Sequence, residues 1–130
     1  MITTTLSTID LMELAGLYSD AGWGEFYGNE HILKERFENS TFSAFSTHDE
    51  KVVGCIRVLS DRVSITWIAE ILVAKEYQRQ GIGRELVACT LKEFQHTDIY
   101  LETFGNAAGF FEKCGLSVRP AMVVCSKKHC

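Results

Sequence analysis

Residues 78–84 read Gln-Arg-Gln-Gly-Ile-Gly-Arg, and they fall where the apolar run "WIAEILV" gives way to a helical pattern. Those residue types at that spacing suit main-chain chemistry rather than side-chain chemistry. A turn that opens a helix leaves its first N–H groups without intrahelical partners, and the helix dipole aims them at an anion. Gly81 and Gly83 keep side chains out of a phosphate's way, while Arg79 and Arg84 can add charge around it. The string is not G-x-x-x-x-G-K-[ST], so it is no P-loop. It departs from G-x-G-x-x-G at Leu86, which is bulky where that motif needs close helix–strand packing. Glu102, ending the next strand, imitates the ribose-binding acid of that dinucleotide motif, so a nicotinamide-dinucleotide binder stays open as an alternative. A plain turn that uses glycine only for conformation is a further alternative.

The elements around this turn follow from hydrophobic period. "STIDLMELAGLYSDAGW" predicts a helix with Ser7 as candidate N-cap, Asp10 three residues later, and Leu11, Leu14, Leu17 and Tyr18 at helical spacing. "NEHILKERFENS" predicts a second, capped by Asn29, with Ile32, Leu33 and Phe37 on one face. Between them "AGWGEFYG" reads as a flexible aromatic loop. From Thr41 the period falls to two: "TFSAFST", "KVVGCIRVLS" and "DRVSITWIAEILV" are strands, with "HDEK" as the first turn. A helix to about Gln95 follows the glycine pair, with Leu86, Val87, Leu91 and Phe94 as its core stripe. "TDIYLETF" then reads as a strand, "NAAGFFEKCG" as a short helix stopped by Gly115, and "SVRPAMVVCS" as a final strand broken by Pro120. This order predicts one α/β domain over residues 1–130, on a mixed, mostly antiparallel central sheet flanked by helices.

At 130 residues the chain has the size of one ordinary domain, and 46% apolar with 23% charged residues is a globular composition. A formal net charge of −4 argues against a general nucleic-acid binder, which needs a surplus of Lys and Arg. No apolar run approaches the ~20 residues that span a bilayer, and the first residues lack the basic and apolar regions of a signal peptide. Five cysteines without a C-x-x-C pair fit reduced thiols in a cytoplasmic protein. Cys125, His129 and Cys130 lie close in sequence, but without a second ligand pair no metal site is expected.

The string "QRQGIG" matches Q/R-x-x-G-x-G/A, and with that it resembles the pyrophosphate-binding signature of the GNAT superfamily of acyl-CoA N-acyltransferases. The resemblance extends to "WIAEILVAKEYQRQGIGRELV" as a strand–turn–helix unit, to "NAAGFFEKCGL" as the later N-x-x-A-x-x-F-Y-x-x-x-G-F segment, and to "KVVGCIRV" as an earlier strand. Three segments in register, from about Phe42 to Val124, cover most of the chain. The resemblance implies an acetyl-CoA-dependent N-acetyltransferase acting by direct transfer to a primary amine, with a small-molecule acceptor. A catalytically weakened coenzyme A-binding sensor or interaction module is the alternative, and a homodimer is possible.

Carried over residue by residue, the resemblance implies that N–H groups of Arg79, Gln80, Gly81, Ile82, Gly83 and Arg84 cradle the coenzyme's pyrophosphate, with Gln78 capping the loop. The strand ending at Val73 is expected to bulge and splay, so that main-chain groups of Leu72 and Val73 bond to the coenzyme and the Val73 N–H stabilises the thioester oxyanion. Asn106 and Phe110 match the later segment, which lines the coenzyme. A primary amine of pKa ~10.4 is mostly protonated near neutrality, at a cost of roughly 4.6 kcal/mol, so a base is useful. Glu70, three residues before Val73, resembles the catalytic glutamate of the histone-modifying branch and is the expected base. Phe111 replaces the family's tyrosine acid and has no proton to donate; water, Cys114 or Tyr100 are substitutes. Trp23, Phe26 and Tyr27 as walls and Glu25 and Glu30 as ammonium partners are the expected acceptor site, favouring a small cationic or aromatic amine over an acidic one.

Overall fold

The computed structural model describes residues 1–128. Their contacts group into two compact units, Met1–Tyr100 and the stretch from Leu101 onward. The first unit is built on a five-stranded sheet in the order β1 (Ile2–Thr3), β2 (Phe42–His48), β3 (Lys51–Ser60), β4 (Ile65–Val73) and β5 (Asp98–Tyr100). Neighbours are antiparallel except β4 and β5, which run parallel. The mixed sheet flanked by helices is thus the expected class. Asp49 and Glu50 turn the β2–β3 hairpin with φ of 50° and 67°, the left-handed pair that matches strand twist in a two-residue loop.

Alternation decides what each face carries. Phe45, Cys55 and Leu72 point to the side packed by α1 (Leu11–Asp20) and α3 (Glu30–Glu38), where they join Leu14, Leu17, Tyr18, Leu33 and Phe37 in one buried cluster. Leu14 and Leu33 are fully buried there, each contributing about 1.5–3 kcal/mol relative to exposure. On the other face α4 (Ile82–Glu93) lies against β3. Gly54 makes this possible: a Cβ on it would meet Ile82 Cγ2 at 3.1 Å, the Leu72 carbonyl at 3.2 Å and Leu86 Cδ1 at 3.3 Å. The glycine that the sequence shows in "KVVGCIRV" is therefore the seat of the helix.

Helix starts differ in one respect from the sequence reading. Asp10, not Ser7, caps α1, accepting from the Met12 and Glu13 amides, because residues Leu6–Thr8 form a separate 3-10 turn. Asn29 caps α3 through the Ile32 amide, as its type and place suggest. The aromatic segment forms a short helix, α2 (Gly24–Tyr27), entered through Gly22 and Gly24 at positive φ.

In the second unit a 3-10 turn (Gly105–Ala107) leads into α5 (Ala108–Lys113), and Gly115 at φ 103° follows. The stretch 117–128 carries no strand, so the expected final strand is absent among the described residues. Pro120 removes an amide donor from its middle. No helix among the described residues is long and apolar enough to cross a membrane.

Candidate active site

Two polar regions flank the C-terminal half of β4. The first is the turn into α4. Arg79 at φ 65° and Gly81 at φ 87° fold the chain back on itself, and Gly81 N-caps the helix with no side-chain cap. Only from Glu85 onward do α4 amides find helical acceptors, beginning with the Gly81 carbonyl at 3.0 Å. No protein group among the described residues accepts from the amides of residues 79–83, which gather at the positive end of a 12-residue helix. Open space surrounds the position a Gly81 Cβ would take. Gln78 Nε2 donates to the Val73 carbonyl at 3.1 Å, tying the turn to the strand end, and Gln80 Nε2 donates to the Glu76 carbonyl at 3.3 Å.

Val73 itself presents its main chain outward. Ala74 N–H donates to the Val53 carbonyl, and since bonded and non-bonded pairs alternate, the Val73–Gly54 pair is a non-bonded one. The Val73 N–H therefore points away from β3. Strand β5 meets β4 only over Ile65–Trp67, so that side of Val73 has no strand partner among the described residues. A bulge sets this up: Arg57 pairs with Glu70 but Val58 with Ile68, leaving Ala69 as the extra residue. Leu72 is the neighbouring bonded residue, paired with Cys55, so its main chain serves the β3 ladder and is not open to a ligand as expected.

The second region is a buried ion cluster centred on Glu70. Its Oε1 accepts from Tyr18 Oη at 2.7 Å, Arg36 Nη2 at 2.7 Å and Arg57 Nε at 2.9 Å; Oε2 accepts from Arg57 Nη2 at 2.8 Å. Arg57 Nη1 donates to Ser40 Oγ at 3.1 Å, and Ser40 Oγ donates to the Arg36 carbonyl at 2.7 Å. Burial alone would raise the Glu70 pKa, but hydrogen bonds from Arg57 and Tyr18 and the charges of both arginines outweigh it and hold it below 4.5. Burial, then the nearby Cys55 and Glu70, push the Tyr18 hydroxyl up, so it stays a neutral donor.

This geometry corrects the role expected for Glu70. A useful base has its pKa near working pH and a lone pair aimed at substrate. Glu70 has a depressed pKa and both oxygens engaged by protein donors. Cys55, two residues along β3 from Arg57, has its thiol pushed up to about 12, by burial above all, and is no nucleophile.

The expected acceptor walls do come together, with the ion cluster. Tyr18 and Trp23 rings stand edge-to-face at 5.9 Å, Trp23 and Tyr27 at 5.3 Å, and Phe26 and Tyr27 at 5.1 Å. The Arg36 guanidinium lies 4.6 Å from the Tyr27 ring centre and 5.6 Å from that of Tyr18. Trp23 and Phe26 remain 38% and 53% exposed. Glu25 and Glu30 are exposed and join no ion pair among the described residues. In the second unit Asn106 is exposed, Phe110 is 39% exposed, and Phe111 is buried with its ring 5.0 Å from that of Phe110. His129 and Cys130 of the C-terminal Cys/His group lie outside the described residues.

Sequence reading missed Arg36, Arg57 and Ser40, and read Tyr18 only as an apolar face. A signal existed: Arg57 in "GCIRVL" and Glu70 in "IAEILV" are single charges inside apolar strand runs. Such charges are buried only when paired.

Comparison with known proteins agrees with this architecture. The sequence profile of the acetyltransferase (GNAT) family matches residues 8–116. The uncharacterized N-acetyltransferase YitH of Bacillus subtilis (strain 168) is 32% identical over 104 residues, covering 78% of this chain but 36% of that protein. Among solved structures, a GNAT family acetyltransferase of Streptococcus pneumoniae TIGR4 superposes with a TM-score of 0.78 at 25% identity, covering 98% of this chain and all of that one. The aminoglycoside N-acetyltransferase AAC(6')-Iy, solved with CoA, shares the fold at 14% identity, with a TM-score of 0.76 over 100% of this chain and 95% of its own.

Proposed function

Because the chain belongs to the acetyltransferase (GNAT) family, we propose that it is an acetyl-CoA-dependent N-acetyltransferase that passes an acetyl group directly to a primary amine of a small molecule. The observation that carries this reading is the set of main-chain amides at residues 79–83 with no protein acceptor among the described residues, at the start of α4, which has no side-chain cap. Such a set fits a diphosphate in shape and sign, and Arg79 adds charge beside it. Acetyl-CoA, when bound, supplies the activated acetyl group.

The chain's own residues do the rest. The Val73 N–H, free of the β3 ladder, is the donor for the thioester oxyanion. Gln78 holds the turn against the carbonyl of that same residue. Trp23, Phe26 and Tyr27 form the acceptor wall. Glu70 holds Arg36, Arg57 and Tyr18 in place beneath that wall rather than taking a proton. The amine then attacks from its neutral fraction, and activity should climb with pH toward the amine's own pKa of ~10.4.

Release of free thiol from acetyl-CoA across a panel of amines, with calorimetry of CoA binding, tests the proposal. Transfer with a rate that rises through the alkaline range is expected. A second reading, a CoA-binding module without catalysis, is favoured by buried Phe111 in the tyrosine's place. CoA binding with no release from any amine would decide for the module, and tighter binding of NAD than of CoA would overturn both.

A further inference from the structure

The ion cluster beneath the aromatic wall is not neutral. It joins two guanidiniums to one carboxylate and a hydroxyl that stays protonated, leaving one positive charge in excess. Arg57 uses all three of its nitrogens, on Glu70 and Ser40. Arg36 does not. Its Nη2 serves Glu70, while its Nη1 is buried and is the one buried side-chain nitrogen or oxygen without a hydrogen-bond partner among the described residues. A buried donor left unmade costs more than a made bond returns, so such a group calls for a partner. The Arg36 side chain is 15% exposed, and its guanidinium stacks on Tyr27, whose ring meets Trp23.

We infer that the acceptor amine carries a carboxylate and that Arg36 Nη1 is the group that binds it. This rests on the reading that Trp23, Phe26 and Tyr27 line the acceptor site. One carboxylate cancels the cluster's excess charge, whereas a phosphate, at about −1.5 to −2, overshoots it. The single unpaired nitrogen suits one carboxylate oxygen, charge-assisted at short range. Glu70 lies three residues before Val73 on β4, so its cluster sits about 10 Å along the strand from the proposed oxyanion donor. That separation leaves room for the acceptor's carbon chain between a carboxylate at Arg36 and an amine near Val73. The inference reverses the preference that the acidic loop residues Glu25 and Glu30 suggest, since both are exposed, whereas the Arg36 and Arg57 side chains are only 15% and 13% exposed.

The test pairs amino acids of increasing chain length with their carboxamides, which match in size and lack only the charge. With acetyl-CoA saturating, the acid of the best length should have a kcat/KM at least about tenfold above its amide. Arg36→Gln should bring that ratio to about one, and Arg36→Lys should restore part of it; melting curves check that both variants fold. A ratio near one in the native protein, or a preference that survives Arg36→Gln, overturns the inference. Should no amine be acetylated, calorimetric titration of the same acids with CoA present separates the two claims. Acid binding lost in Arg36→Gln then upholds the anion site and sinks the transferase reading, and no acid binding to the native protein sinks the inference itself.

Discussion

At the start of α4, five consecutive amides have no protein acceptor among the described residues; Arg79, Gln80 and Gly81 are exposed, and Ile82 and Gly83 half-buried. In the middle of β4, by contrast, Glu70 is 8% exposed and accepts four hydrogen bonds from three side chains of three other elements. The first region is main chain, local and empty-handed; the second is side chain, non-local and nearly saturated. The difference teaches how each kind of polar group is satisfied. Main-chain donors at a helix start need no counter-charge while water reaches them. Buried charges must be paired within the protein, and what they leave unpaired is informative because it is so costly.

The sharpest way to break the contrast is Glu70→Ala, which strands two guanidiniums in the interior. Urea unfolding should show a loss of about 3–5 kcal/mol. A loss below about 1 kcal/mol would mean that the cluster opens to water in solution. Next comes Gly54→Val, which drives a branched side chain into Ile82, Leu86 and the Leu72 carbonyl. A cost of about 1–3 kcal/mol is expected, together with weaker CoA binding by calorimetry as α4 shifts. If binding is untouched while stability drops, α4 does not position the turn.

Gly81→Ala should act in the opposite proportion. The position is open, so nothing clashes, but φ 87° strains an L-residue by roughly 1–2 kcal/mol. CoA affinity should fall while the Glu70 cluster keeps its stability contribution, and Gly81→Asn should do less harm because Asn tolerates that conformation.

The smallest effect is one of pH. The Glu70 pKa is lowered on folding, so its contribution to stability is full above the ordinary value of 4.5 and is lost as pH falls through the folded value. Urea midpoints followed from about pH 7 down to about pH 3 should drop more steeply in the native protein than in Glu70→Gln. Parallel curves would show that other carboxylates, such as the exposed Asp61, govern the acid limb. Asp61 is itself held low by hydrogen bonds from Ser64, Ile65 and Val63.

Legibility followed the same division. The turn could be read from six letters because its chemistry resides in consecutive backbone groups: Gly81 sits where the string puts it and at the φ that only glycine adopts easily. The strand pair β2–β3 and helices α1, α3 and α4 were equally plain, since their period of 2 or 3.6 is a local property. Capping was less so. Ser7 and Asp10 are both good cap residues, and only the 3-10 turn at Leu6–Thr8 decides for Asp10. The final strand was misread because "AMVVCS" has strand composition but, among the described residues, no partner to pair with.

By itself, then, the chain's sequence determined the order of helices and strands through β5, the glycine turn that opens α4, and through them the family. Tertiary structure alone decided that Glu70 would be a partner to Arg36, Arg57 and Tyr18, and that one nitrogen of Arg36 would find no partner among the described residues. The physical reason is one of range. Periodicity and turn chemistry are settled within a few residues of chain, whereas the state of a buried charge is set by groups from residues 18, 36 and 57 that only folding brings to residue 70.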